Sequence, residues 1–326
     1  MAGPNPSASE MVATTLRNRT GKPADSVSKN NALSMRLLAK DRVKYVTGGG
    51  RTIVQEVEYA ENAGVIAYSG YDPIALVQSD VISMAEFDYK QYAAPIMMSG
   101  LEMVQNMGKA AVIDLLNTRM MNAFKSLKNR VALDLYGDGT SQLGKSIGGL
   151  ALLISSAPTA GTVGGFNRAT ASFWRNQKFS ALTDGGVALS KTNVQDYMNR
   201  LWLLTIRGSD APDLSPCDNV FYYTYLGSLQ AIQRITSDKM ASAGFTSLKY
   251  MNADVVADGG FGGGAPTGTA YFLNTDYLFL RPVKDHSFVP LGEDRAPTNQ
   301  DAMTRLLGWY GNMTMSAALF HGVLTP

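Results

Sequence analysis

One segment constrains the fold of this 326-residue chain more than any other: from Leu101 to about Tyr136 there is no proline. Ser99 is a suitable N-cap before the segment, and Gly137 and Gly139 are suited to end it. Apolar residues recur within it at spacings of three and four, namely Leu116, Met120, Phe124, Leu127, Val131 and Leu135. A helix of this length would measure roughly 50 Å. Because no sustained heptad with charged flanks accompanies it, the pattern predicts the spine of an elongated subunit rather than a coiled-coil strand.

An extended β-ribbon is predicted before this spine. A glycine-rich hinge at residues 47–50 leads into an alternating strand from Ile53 to Tyr59, a turn at residues 61–64 and a returning strand at residues 65–68. An isolated hairpin is marginally stable in water, so we expect the ribbon to lie on another surface. The candidate contact residues are Arg51, Ile53, Val57, Tyr59, Val65 and Tyr68.

The remaining elements predict an α+β fold without internal repeats. Residues 1–27 have the composition of a mobile, mildly basic arm, and a helix is predicted from about Asn31 to Arg42 with Leu33, Leu37 and Leu38 on one face. A second extended stretch is predicted from Val81 to Ala93, ending at Pro95. After the spine we predict strands at 150–154, 220–225, 249–256 and 270–280, helices at 193–206 and 226–235, and paired strands within 303–323. The predicted inner face of the helix at 193–206 consists of Val194, Tyr197, Met198, Leu201 and Trp202.

The composition favours self-association over catalysis or nucleic-acid recognition. Hydrophobic residues form 45% of the chain and charged residues only 17%, against about 25% in ordinary soluble domains. A surface so poor in charge is expected to be covered by other copies. The formal net charge is +2, although residues 1–50 hold eight Lys/Arg and three Asp/Glu. The single Cys217 and two histidines exclude a disulfide framework and a multi-cysteine or three-histidine metal site. No secretory signal or membrane span is expected.

One motif fits a catalytic pattern closely. Gly139, Gly144, Lys145 and Ser146 match the phosphate-loop pattern G-x-x-x-x-G-K-[ST]. That chemistry needs a buried strand before the loop and a helix that starts at the lysine, whereas here the predicted spine precedes the loop and two glycines follow it. We therefore predict a glycine-rich connector, with a nucleotide hydrolase that uses Lys145 and Ser146 as the alternative.

Other partial motifs also favour structural interpretations. The G-x-S-x-G pattern at residues 144–148 lacks the strand and helix of a nucleophile elbow. The G-x-G-x-x-A pattern at residues 260–265 precedes a strand rather than a helix. His286 and His321 have no partners at metal-ligand spacing, and Asp134 with Asp138 is expected to be a solvated helix end. We predict no catalytic residue, no cofactor and no metal site.

The order of arm, hinged ribbon, long spine and α+β body resembles the major capsid proteins of tailed bacteriophages, the Hong Kong 97-like fold. Local strings resemble that family and the podovirus-type coat proteins within it. They are Leu135–Thr140 followed by Ile147–Leu150 after the spine, Gly165–Arg168 with Phe173–Asn176, Tyr271–Leu278, and Gly311–Met313 with Gly322–Leu324 near the C-terminus. The resemblance covers about residues 30–326.

The resemblance implies a non-enzymatic shell subunit that forms pentamers and hexamers around packaged double-stranded DNA in a virion head, assembled in a bacterial cytoplasm. It also implies five regions: an N-terminal arm (1–44), the extended hairpin loop with its adjoining strand (45–95), the spine helix with the first part of the peripheral domain (96–189), the axial domain (190–265) and the C-terminal strands of the peripheral domain (266–326). The hairpin would reach over a neighbouring subunit.

Two departures from the family concern its partners. The short N-terminal segment favours a separate scaffolding protein over a fused scaffold. Arg51 is the only Lys/Arg between Tyr45 and Tyr89, so a lysine-based covalent cross-link from the hairpin is not expected. Cohesion would rest on buried area and on strand addition between copies, with a portal protein and a cement protein as further candidate partners. A shell of the same fold that encloses a cargo enzyme is a second alternative.

Overall fold

The structure is a computed structural model that describes residues 31–74, 78–105, 115–229, 247–260, 263–292, 295–296 and 298–326. Its helices are α1 (Ala32–Ala39), α2 (Gly100–Gln105), α3 (Leu115–Asp134), the single turn α4 (Ser141–Gly144), α5 (Leu150–Leu153), α6 (Val194–Thr205) and α7 (Asn219–Ser228). Its strands are β1 (Thr52–Glu58), β2 (Ile82–Asp88), β3 (Lys90–Ser99), β4 (Thr162–Val163), β5 (Phe166–Asn167), β6 (Gln177–Ser180), β7 (Leu214–Cys217), β8 (Ser247–Tyr250), β9 (Ala253–Ala257), β10 (Ala270–Phe272), β11 (Leu278–Pro290), β12 (Ala302–Met315) and β13 (Gly322–Thr325). The predicted α+β class is confirmed.

The larger of two cores lies between α3 and a three-stranded antiparallel sheet in the order β11-β12-β3. Leu127, Val131 and Leu135, from the predicted apolar stripe, are all buried there. The prediction that the stretch ends at Pro95 is wrong, because β3 continues to Ser99. Proline is tolerated at this position since β3 is an edge strand, where one row of backbone N–H groups needs no partner strand.

The predicted spine is described in two pieces, α2 and α3, and residues 106–114 between them lie outside the described residues. Its predicted start is confirmed by a capping box: the Ser99 N–H donates to Glu102 Oε2 at 3.0 Å, and the Glu102 N–H donates to Ser99 Oγ at 3.3 Å. Helix α3 ends at Asp134, shortly before the glycines that were predicted to end it.

The second core lies under a six-stranded mixed sheet in the order β6-β13-β10-β7-β9-β8. Helix α6 covers it with the predicted inner face, and each member of that face is buried: Val194, Tyr197, Met198, Leu201 and Trp202. Strands β6, β10 and β13 come from outside residues 190–265. The sheet therefore extends beyond the boundaries proposed for the axial domain.

The predicted pairing within the ribbon is wrong. Residues 65–68 form no strand, and β1 instead pairs antiparallel with β2, in a register that runs from Thr52 opposite Asp88 to Glu58 opposite Ile82. Strand β2 has its own inward face, Ala85 and Phe87, which continues the inward face of β1. Because the inward faces of β1 and β2 are both buried on the same core, this long-range pairing is fixed.

Three local predictions also need correction. Residues 150–153 form α5 rather than a strand. Residues 220–225 belong to helix α7, because the Asp218 side chain accepts the Val220 N–H at 3.1 Å and caps the helix. In the helix predicted at 226–235, residues 226–228 are the last residues of α7 and Leu229 is not helical. Residues 230–235 lie outside the described residues. In α1, Leu33 and Leu37 are buried as predicted, whereas Leu38 is 63% exposed.

Candidate assembly surfaces

The ribbon β1–β2 has two faces of different character. Its inner face, formed by Ile53, Val57, Ala85 and Phe87, is buried against the larger core. Its outer face combines exposed apolar residues with carboxylates, namely Val54, Ile82, Met84, Glu56, Glu58, Glu86 and Asp88. The alternation of the two strands therefore presents a mixed apolar and acidic surface to the outside.

Contacts with the body hold the ribbon at both ends of its paired strands. The Glu86 N–H donates to the Gly164 carbonyl at 3.1 Å, and the Asn312 side-chain amide donates to the Asp88 carbonyl at 2.7 Å. The rings of Tyr59 and Phe173 lie 4.9 Å apart. These contacts fix the orientation of the ribbon on the body.

The structure divides the six candidate contact residues into two groups. Ile53 and Val57 are buried in this chain's own core, and Tyr59 packs on the body, so none of these three side chains is presented outward as expected. Arg51, Val65 and Tyr68 are exposed. The alternating pattern identified a strand with one apolar face, but it does not reveal whether that face meets the same chain or another copy.

Further exposed residues lie in the segment between β1 and β2, which we name the ribbon tip (residues 59–81, of which 75–77 are outside the described residues). Tyr71 is fully exposed and Val65 is 82% exposed, and Ile66 and Ile74 are also exposed. Tyr71, Ile66 and Ile74 are not among the contact residues predicted from the sequence. The available signal was that residues 62–71 contain no charged residue although they lie in an acidic segment.

Acidic residues lie on both sides of this uncharged stretch. Residues 52–88 contain no Lys or Arg and seven carboxylates, namely Glu56, Glu58, Glu61, Asp72, Asp80, Glu86 and Asp88. A surface of one sign favours a partner surface of the opposite sign.

The phosphate-loop motif lies in a connector rather than in a nucleotide site. It follows helix α3, and an isolated antiparallel bridge between Asp138 and Gly148 closes it. Lys145 is exposed, and Ser146 Oγ donates to the Ser141 carbonyl at 3.1 Å. The adjoining cleft is lined by Glu86, Asp88 and Asp138, with Lys90 as its only cation among the lining residues. These carboxylates would repel a phosphate, so the geometry gives the hydrolase alternative no support.

The connector has an unusual backbone. Gln142 and Leu143 adopt left-handed conformations, with φ of 54° and 60°. This conformation costs an L-residue about 1–2 kcal/mol. Leu143 is also 94% exposed, so its side chain gains no burial within the chain to offset that cost.

The other candidate groups have structural partners or no site around them. Arg130 Nε donates to Asp134 Oδ2 at 3.0 Å. Asp138 Oδ1 accepts the hydroxyl and the N–H of Thr140, and these hydrogen bonds lower the pKa of Asp138. His286 is exposed beside Tyr310. His321 is fully buried, and burial lowers its pKa to about 4. Residues 260 and 263–265 of the second glycine motif lie in a loop, and residues 261–262 are outside the described residues.

The described residues contain neither a metal-binding cluster nor a membrane-spanning helix. No group of three or more His, Cys, Asp or Glu side chains is placed to hold a metal ion in the parts of the chain that the structure describes. Among the same residues, no helix combines the length and apolarity needed to cross a bilayer.

Helix α1 is seated on the body by charge as well as by apolar contact. Arg36 lies 2.9 Å from Asp213 and 3.6 Å from Asp254, and Lys40 lies 3.2 Å from Asp213. Just after α1, Arg42 forms a further ion pair with Asp276, at 2.7 Å. The basic excess of residues 1–50 is thus partly neutralised by acidic residues of the same chain.

With its ribbon, three-stranded sheet and second core, this chain has the fold of the capsid proteins of tailed bacteriophages. The cyanophage A-1(L) capsid asymmetric unit matches this chain with a TM-score of 0.68 at 16% sequence identity. The match covers 96% of this chain and 98% of that one. A structure of Mycobacterium phage Adephagia has a TM-score of 0.53 at 12% identity, over 95% and 96% of the two chains.

A third match is the holo-SrpI encapsulin complex from Synechococcus elongatus, with a TM-score of 0.53 at 9% identity, over 94% of this chain and 92% of that one. No protein-family profile matches the sequence, and no curated protein matches it either. At these identities the agreement establishes the fold, including the Hong Kong 97-like architecture implied by the resemblance.

Proposed function

We propose that this protein is a major capsid protein that assembles with copies of itself into the icosahedral head of a bacteriophage, without catalysis. The observation that carries the proposal is the agreement with a phage capsid subunit over 96% of this chain and 98% of the other. At this coverage the match includes most of the ribbon as well as most of the two cores. The low charge fraction and the exposed ribbon tip support the same function, since both suit a surface that other copies cover.

Within this proposal, the ribbon extends over a neighbouring subunit in pentamers and hexamers. Its acidic outer face suits a basic surface on that neighbour, and its apolar tip suits a contact from which water is excluded. Packaged double-stranded DNA, a separate scaffolding protein, a portal protein and a cement protein are the proposed partners of the shell. We assign residues 190–265 to the region around the capsomer axis and residues 96–189 with 266–326 to the periphery.

Electron microscopy of the chain, expressed alone and with a scaffolding protein, tests the proposal. We expect closed shells of uniform size. A soluble monomer under every condition would contradict it. A magnesium–ATP titration separates the hydrolase alternative: we expect no saturable binding, and binding that is lost in Lys145→Ala would overturn the non-enzymatic assignment.

The ribbon's role has a sharper test in a loop replacement than in deletion of residues 52–68. That deletion would remove Ile53 and Val57 from the core and destabilise the body itself. Replacing residues 61–79 with Asn-Gly retains the β1–β2 pairing, since this dipeptide suits a tight hairpin. We expect a folded subunit that does not close shells, and normal particles from this variant would refute the proposed role.

The encapsulin match favours a second candidate function, a compartment shell of the same fold that encloses a protein cargo. The contents of purified particles distinguish the two functions. Nuclease-protected DNA supports the phage head, whereas a stoichiometric enclosed protein without DNA supports the compartment.

A further inference from the structure

The proposed function gives no role to the connector Gly139–Ser146. Hydrogen bonds hold this connector in place. Lys90 Nζ donates to the Gly144 carbonyl at 2.8 Å, and Arg130 donates to Ser141 Oγ at 3.2 Å. Asp138 Oδ1 accepts both the N–H and the hydroxyl of Thr140. Hydrogen bonds from β3, from α3 and from within the connector thus hold the turn.

Leu143 lies in this turn, and neither its backbone conformation nor its exposure suits a leucine. Leu143 combines a left-handed backbone with nearly full exposure, whereas glycine or asparagine would fit the conformation with less strain. A second exposed residue with positive φ, Met251, has a local explanation. It lies in the two-residue turn between the paired residues Tyr250 and Ala253, and such hairpin turns require positive φ. No hairpin of this kind surrounds Leu143.

We propose that Leu143 is a docking residue for a second copy of this chain, and that the segment it receives is the uncharged stretch of that copy's ribbon tip, residues 62–71. Strain that a fold retains at an exposed apolar residue fits a contact made only after assembly. This inference rests on the proposed function and adds to it the residue on which a neighbour's ribbon lands.

The nature of the occupant follows from charge and reach. The turn 139–144 contains no charged residue, and neither do residues 62–71 of the ribbon tip, where Val65 and Tyr71 are exposed. The chain's own tip is directed elsewhere: Asp88, at the base of the ribbon, lines the same cleft as Gly144, and the six residue steps from Asp88 to Ile82 carry the tip roughly 20 Å away. Only another copy is then placed to supply a tip.

A substitution with opposite effects on stability and assembly tests the proposal. Leu143→Gly relieves the strained backbone, so we expect the unassembled subunit to unfold at a higher urea concentration while its yield of shells falls at least tenfold. Met251→Gly is the matched control, with the same relief of positive φ and no loss of shells. If Leu143→Gly forms shells as well as the wild type does, the proposal is overturned while the capsid function stands. If the wild type forms none, the proposed function itself has failed.

Cross-linking identifies the occupant. The only native cysteine, Cys217, is fully buried, so a short bis-maleimide reacts chiefly with introduced cysteines. We expect Leu143→Cys combined with Val65→Cys to give a ladder of covalent oligomers in shells, and Met251→Cys combined with Val65→Cys to give none. The absence of a ladder from the first pair in intact shells would overturn the assignment to the ribbon tip.

Discussion

The hydroxyl of Tyr136 donates a 2.5 Å hydrogen bond to Asp258 Oδ2 and thereby joins the turn after helix α3 to the loop after β9. The same oxygen accepts the N–H of Ala32, the first residue of α1, at 3.1 Å. Burial raises the pKa of Asp258 and, together with the charge of Asp258, that of Tyr136. One carboxylate therefore connects the N-terminal helix, the spine and the six-stranded sheet.

Replacement of this carboxylate should loosen all three elements. We expect Asp258→Ala to lower the free energy of unfolding by about 2–3 kcal/mol, because it leaves the Tyr136 hydroxyl buried without an acceptor and removes a cap from α1. Urea unfolding of the unassembled subunit measures the loss, and hydrogen exchange of residues 32–39 locates it. Tyr136→Phe, which retains the cap on α1, should cost about 1 kcal/mol. Equal losses in the two variants would contradict a role for Asp258 in holding α1.

What the sequence predicted well depends on local spacing. The inner face of α6 and the start of the spine at Ser99 follow from helical periodicity and from capping chemistry, which operate over a few residues. The same reasoning failed at residues 220–225, where a short apolar run does not distinguish a buried strand from a helix, and the cap at Asp218 decides the outcome.

What the sequence could not supply depends on contacts distant along the chain. The partner of β1 is β2, and a 23-residue connection (59–81) separates them, so the burial of both inner faces on one core selects the pairing. For the same reason the alternating pattern predicted a contact with a neighbour at Ile53 and Val57, whereas this chain itself covers both side chains. The strain at Leu143 is a backbone property that no residue pattern reveals.

Close packing after the spine predicts a glycine requirement at one position. A Cβ on Gly149 would lie 2.3 Å from the Leu135 carbonyl oxygen, whereas a Cβ on Gly137 would lie 3.3 Å from the Asp134 carbonyl. We expect Gly149→Ala to destabilise the subunit by about 3 kcal/mol or more, since backbone must move, and Gly137→Ala to change the stability by less than about 1 kcal/mol. Thermal unfolding of the two variants compares them directly. Similar melting temperatures would show that the connector can shift away from Leu135.

The ion pairs that hold α1 on the body should contribute far more to the free energy of unfolding than a surface ion pair does. Arg36 and its partners Asp213 and Asp254 are mostly buried, so Arg36→Ala should cost about 2–3 kcal/mol, with Lys40 still close to Asp213. Arg200, paired with Asp196 at 3.0 Å, is the control; both side chains are 56% exposed, and Arg200→Ala should cost less than about 0.5 kcal/mol. Urea midpoints at low and high salt measure both effects. A loss in Arg36→Ala no larger than that in Arg200→Ala would show that apolar contacts alone hold α1.

The buried His321 predicts a loss of stability in mild acid. Its Nδ1 accepts the Asn274 N–H at 3.3 Å, and its Nε2 has no hydrogen-bond partner among the described residues, so the fold accommodates the neutral ring. Burial lowers the pKa of His321 from 6.5 to about 4, although Asp213 and Asp210 raise it in part. Between these values the unfolded chain binds more protons than the folded one. The contribution is therefore fully present above about pH 6.5 and is lost as the pH falls towards 4.

The size of this effect follows from the shift of the pKa, and a variant isolates it. At about 1.4 kcal/mol per pKa unit, the wild type should lose ~3 kcal/mol more than His321→Gln between pH 6.5 and 4. Because the pKa of Asp258 is raised, its contribution changes in the opposite direction with pH, and subtraction of the variant's curve removes it. Urea unfolding of both unassembled subunits at a series of pH values provides the comparison. Parallel curves for the two proteins would show that His321 takes up its proton in the folded subunit as readily as in the unfolded chain.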